Sequence, residues 1–147
     1  MKTAFLVGRL LFGGFFLYNG INHFKEARMH TDYAAAKGFP APGLAVSVSG
    51  LALVAGGGSI LLGIKPKLGT LAILGFLLSV SPLMHDFWRR EDPDQRMNEM
   101  INFTKNLAMA GAALALMAVE EPWPLSVPVA QPTTIERVKR AARRVAA

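Results

Sequence analysis

The chain has 147 residues, of which 52% are hydrophobic and 18% charged, with a formal net charge of +6 and no cysteine. A soluble domain of this size needs roughly a quarter of its residues charged to cover its surface, whereas here the mean hydropathy is positive at +0.32. An ordinary soluble globule is excluded, as are disulfides, thiol catalysis, sulfur-attached haem and cysteine-held iron–sulfur clusters. About 20 predominantly apolar residues carry a helix across the hydrocarbon core of a bilayer. Four windows approach that length, at 3–24, 43–64, 68–87 and 101–119. The expected fold class is all-α, a membrane-spanning four-helix bundle with short loops and a C-terminal basic amphipathic helix.

The first window begins like a secretory signal, with Lys2 ahead of an apolar run. Arg9 interrupts that run early and no small-x-small cleavage site precedes the polar stretch 19–25, so the segment is expected to be retained. At 100° per residue, Arg9, Gly13, Phe16, Gly20 and His23 share one face of this helix. An intramembrane charge costs from about 2.5 kcal/mol upward. Arg9 therefore either snorkels to the headgroups or turns into the bundle.

Next comes "KEARMHTDYAAAKGFPAPG", in which Gly38 suits a helix C-terminus and Pro40 and Pro42 prevent continuation. A short interfacial helix is expected around 32–37. The second span offers Ala55, Ser59 and Gly63 for close helix packing. Only "IKPKLG" separates it from the third span, so those two helices are antiparallel neighbours. The third span offers Gly75 and Ser79, carries Pro82 one turn before His85, and ends at Trp88, a residue suited to the interfacial aromatic belt. Asp92 and Pro93 form an N-cap and first-turn pair for the fourth helix. Its purely apolar part, 107–119, is short, and Ala108, Gly111, Ala112 and Ala115 offer another small-residue face.

With both termini on one side, that side holds Lys2, Lys65, Lys67 and the basic residues of the tail, the larger share of the cations. Cytoplasmic termini follow from the positive-inside rule. Asn19, Asn22, His23, His85, Asp86, Asn102, Lys105 and Asn106 then fall at the outer level. Of these, His23, His85, Asp86, Asn102, Lys105 and Asn106 are expected either to line a polar vestibule that takes a quinone, a lipid or another amphipathic headgroup, or to form a cap that only joins helices and meets water. Asp86 and Lys105 are the expected charge pair. No HxxxH or HExxH spacing points to a metal, no nucleophile–base pair points to catalysis, and no nucleic-acid partner is expected.

The bundle is expected to occupy 1–121, followed by a Pro-rich linker at 122–132 and a basic amphipathic tail at 133–147. Trp123 is expected at headgroup level. Thr133 and Glu136 have capping-box spacing. Behind them, Arg137, Lys139, Arg140, Arg143 and Arg144 oppose an apolar side, a pattern suited to anionic lipid or an acidic partner.

The stretches "GRLLFGGFFLYNGINHF" and "AAAKGFPAPGLAVSVSGLALVAGGGSILLGIKPKLGTLAI" resemble the DoxX-like membrane proteins. The resemblance runs over roughly residues 5–119 and rests on Arg9, Gly20, His23, the K-G-x-P-x-P loop at 37–42 and the glycine-rich run at 57–63. It implies a four-helix membrane bundle associated with membrane redox systems, among them a quinone-linked thiosulfate-oxidising enzyme and an oxidoreductase assembly. Members often carry a glutamate in the second helix where this chain has Leu53, a departure that points to an accessory role. Two functional expectations stand: an accessory subunit of a quinone-linked system with no covalently bound cofactor, or a catalytically silent structural subunit of a larger energy-converting complex. Membrane lipids and other membrane subunits are the expected partners, a homo-oligomer is open, and the bacterial inner membrane is the expected location.

Overall fold

The structure, a computed structural model, describes residues 2–128 and is all-helical over that range. Its helices are α1 (Lys2–Lys25), α2 (Ala27–Ala36), α3 (Pro42–Leu62), α4 (Pro66–Met84) and α5 (Pro93–Met117), with a 3-10 turn at Phe87–Arg89. There are thus five helices where four were expected. Of the stretch 32–37, all but Lys37, the C-cap, is the end of a longer helix, α2, that begins directly after α1. Among the described residues three segments are long and apolar enough to cross a membrane: Lys2–Lys25, Pro42–Leu62 and Pro66–Arg89. The fourth expected span belongs to α5, whose amphipathic first half carries Asp94, Arg96, Glu99 and Lys105 and dilutes its apolar second half.

Local chemistry sets the boundaries. Proline opens α3, α4 and α5, where its missing N–H costs nothing. Asp92 caps α5 by accepting the Gln95 N–H at 2.8 Å. Gly63 closes α3 in the left-handed region at φ 68°, which frees the chain to turn within three residues into α4.

α1 packs on α3, α3 on α4 and α4 on α5, while α2 lies against α3 and α1. The α1–α3 contact is backbone to backbone. A Cβ on Gly57 would stand 2.5 Å from the Leu17 nitrogen and 2.7 Å from the Gly13 carbonyl oxygen. Gly56 and Gly69 make the α3–α4 contact in the same way. The small residues in contact are therefore not all those expected. Ser59 abuts Gly69, but Ala55, Gly75, Ser79, Ala108, Gly111, Ala112 and Ala115 are exposed. Phe16, Leu53, Ile60, Ile73, Leu77 and Ala113 form the core between the helices.

The chain after α5 folds back across the terminal end of the bundle. Trp123, expected at headgroup level, is 2% exposed and meets Phe5 edge-on at 5.3 Å. The Val127 N–H donates to the Leu62 carbonyl at 2.8 Å. Of the expected linker, 122–128 is described and takes part in this closure. The basic tail at 133–147 lies outside the described residues.

Candidate functional site

The opposite end of the bundle holds a cavity of about 520 Å³ between α1, α2, α3 and α4. That volume lies within the usual range for small-molecule sites, and its walls are chiefly Ala, Val, Phe and Met. All three histidines of the chain line it: His23 from α1, His30 from α2 and His85 from the end of α4. Val48, Gly75 and Ser79 on its rim are exposed and lie within the α3 and α4 spans, so the rim opens towards lipid.

Each imidazole is held differently. His23 sits one turn beyond Asn19 and its Nδ1 lies 2.8 Å from the Asn19 backbone oxygen. The His30 ring stacks on it at 4.5 Å, nearly parallel. Burial and then the neighbouring His23 lower the His30 pKa below its ordinary 6.5, against a weaker opposing pull from Glu26. The His30 Nε2 is buried without a hydrogen-bond partner.

His85 is held from α5. Its Nδ1 lies 2.8 Å from Glu99 Oε2, and the other carboxylate oxygen accepts from Lys37 Nζ at 2.5 Å. Burial alone pushes the Glu99 pKa up, but the hydrogen bonds from Lys37 and His85 together outweigh it and leave the carboxyl below its ordinary 4.5. The three side chains are between 13% and 18% exposed, so this is a largely desolvated chain of charge-assisted bonds. It ties the loop after α2, the end of α4 and the start of α5 into one rim.

The expected vestibule residues are therefore divided. His23 and His85 share the cavity. Asp86 stands beside it but pairs with Arg90 instead of Lys105, because a partner four residues along needs no long-range approach. Lys105 is exposed and Asn102 half-buried. Asn106 faces a separate cavity of about 220 Å³ with Trp88 and Phe103. Arg9 is at the opposite end, turned inward and 4% exposed, and it donates to the carbonyls of Pro124 (2.7 Å), Leu61 (3.2 Å) and Leu125 (3.2 Å). Backbone carbonyls, not headgroups, solvate it.

Glu99, Lys37 as its partner, and His30 are the site residues that sequence reasoning missed. One signal was present: Glu99, Asn102 and Asn106 recur at i, i+3 and i+7, an acidic entry to a polar face. The assembled site can hold an amphipathic ring, hydrogen-bond its polar edge and move a proton at an imidazole. It offers no activated nucleophile.

The pattern of one protein family, described as DoxX, matches residues 4–86, more than half of the chain, from the first turn of α1 to the end of α4. No curated protein and no solved structure matches the chain.

Proposed function

From the premise that the chain belongs to the DoxX family, we propose that this integral membrane protein is an accessory subunit of a quinone-linked redox system. The cavity binds the headgroup of a quinone or a chemically similar lipid-soluble ring. The observation that carries the reading is the convergence of all three histidines on one apolar cavity, backed by the Lys37–Glu99–His85 chain. An apolar wall takes the ring and tail, and a few fixed polar groups orient the headgroup. On this reading α5 completes a four-helix bundle as a fourth crossing. The terminal side faces the cytoplasm of a bacterial inner membrane, and the cavity lies near the outer interface.

The test is isolation of the protein from its native membranes in mild detergent, followed by solvent extraction and identification of what comes with it. Quinone or its quinol is expected in stoichiometric amount, and Gly75→Phe is expected to remove it. Nothing lies within 4 Å of a Cβ at Gly75, and its position on the cavity wall lets the ring fill the space without moving backbone. Purified wild-type protein free of any quinone or quinol would defeat the proposal.

A second reading, a catalytically silent structural subunit, is favoured by one observation. The α5 face of Ala108, Gly111, Ala112 and Ala115 is exposed, and small residues at that spacing permit close approach of another membrane helix. Stoichiometric membrane partners without a small molecule would select it.

A further inference from the structure

Hydrogen-bond geometry fixes where the protons sit on two of the three imidazoles. His23 Nδ1 lies 2.8 Å from the Asn19 carbonyl oxygen. A carbonyl only accepts, so the proton of neutral His23 is on Nδ1. His85 Nδ1 faces Glu99 Oε2. That carboxylate, held ionised by Lys37 on its other oxygen, also only accepts. Neutral His85 therefore carries its proton on Nδ1 as well. Both rings are left with a bare Nε2 lone pair, and both line the cavity.

The two serine hydroxyls of the lining add no free donor. The Ser49 hydroxyl donates to the Val46 carbonyl and the Ser79 hydroxyl to the Gly75 carbonyl, so both protons are engaged within their own helices. Tyr33 is the other lining hydroxyl and is 45% exposed. The buried His30 Nε2 has no partner and donates or accepts according to its tautomer. With His23 and His85 neutral, the hydrogen-bonding groups that geometry fixes in the lining are therefore two bare Nε2 acceptors, with the Ser49 and Ser79 protons already engaged.

We propose that the cavity selects its ligand by hydrogen-bond polarity, taking the hydroxyl-bearing form of an amphipathic aromatic headgroup, a quinol or another phenol, over the carbonyl-only oxidised form. This rests on the cavity being a headgroup site, as proposed above, and adds which redox form it holds. A quinol donates an O–H to an imidazole Nε2. A quinone brings two further acceptors to a site already supplied with them, and lone pairs then face lone pairs away from water. Glu99 acts through His85 as a positioning residue, because it sets which nitrogen is bare. A site that hydrogen-bonds a hydroxyl discriminates strongly against the analogue lacking it.

The experiment measures binding of three ligands to the purified full chain in nanodiscs by equilibrium dialysis: decylhydroquinone, its dimethyl ether and decylquinone. The ether keeps ring and tail but cannot donate. Decylhydroquinone is expected to bind at least about tenfold more tightly than the other two. Glu99→Gln, whose amide can either donate or accept, is expected to shrink that ratio to about threefold or less while decylquinone binding persists. Equal affinity for the three ligands, or a preference for the quinone, overturns the inference and leaves the cavity reading standing. An undiminished ratio in Glu99→Gln overturns the part given to Glu99. Failure of all three ligands to bind removes the cavity reading itself and this inference with it. The wild-type comparison needs no variant to fold.

Discussion

Lys37 Nζ lies 2.5 Å from Glu99 Oε1, joining the loop behind α2 to α5 across 62 residues of sequence. Both side chains are 13% exposed. Breaking a buried pair by removing one partner is worse than replacing both, because the survivor stays buried and uncompensated. Lys37→Met is therefore expected to cost about 2–4 kcal/mol, and the double change Lys37→Met with Glu99→Leu to recover much of it. Thermal unfolding in detergent, run as a double-mutant cycle, checks this; additive losses would show that the pair is not coupled.

Stability is also expected to fall in two steps on acidification. His30 has a folded pKa below its ordinary 6.5, so the folded state resists the proton and stability is lost as pH falls from about 6.5 to that lowered value. Glu99 is likewise depressed, so its contribution is present above about 4.5 and lost as pH falls through its folded value. His30→Gln is expected to flatten the upper step alone and Glu99→Gln the lower one alone. Melting temperature against pH for the three proteins gives the answer, and a profile unchanged by either variant would contradict it.

Arg9 supplies donors to three carbonyls from two parts of the chain. Arg9→Met leaves those acceptors bare in a buried place and is expected to cost about 2–4 kcal/mol. Arg9→Lys keeps the charge but lacks the planar fork that reaches several acceptors at once, so it is expected to rescue only in part. The local readouts are protease sensitivity at 123–127 and a red shift in Trp123 emission. Retention of a protected, blue-shifted Trp123 in Arg9→Met would refute the assignment.

The backbone contact between α1 and α3 makes a sharp contrast testable. Gly57→Ala places a methyl 2.5 Å from the Leu17 nitrogen, whereas Gly58→Ala meets nothing within 4 Å. The first is expected to cost about 1–3 kcal/mol through overpacking, and the second to be neutral or slightly stabilising. Equal melting temperatures would show that α1 and α3 are not so closely apposed.

What sequence alone revealed followed the reach of its signals. The face of α1 bearing Arg9, Gly13, Phe16 and Gly20 is the buried one, as a 100° rotation per residue predicts. The Pro and Gly boundaries of α3 and α4 were legible for the same local reason. Which small residues touch was not, because Ala55 and Gly56 differ only by a rotation that the neighbouring helix decides. The candidate site was half legible. His23 and His85 stood out as polar groups at span ends. The pairing of Lys37 with Glu99 was not legible, since no periodicity links positions 62 apart. Asp86 was matched to Lys105 by level in the bilayer, and the nearer Arg90 took it.

The two ends of the bundle differ in kind, and this limits what kind of transport the chain could support. Between the histidine-lined cavity and the returning segment lies a seal of side chains, with Phe16, Leu53, Ile60, Ile73 and Leu77 each no more than 2% exposed. Beyond it Trp123 stoppers the terminal end, and Arg9 fastens the segment that carries it. Over the described residues, a path from the cavity to the terminal end would have to part this layer, and the Arg9 fastening would have to open before the end itself did.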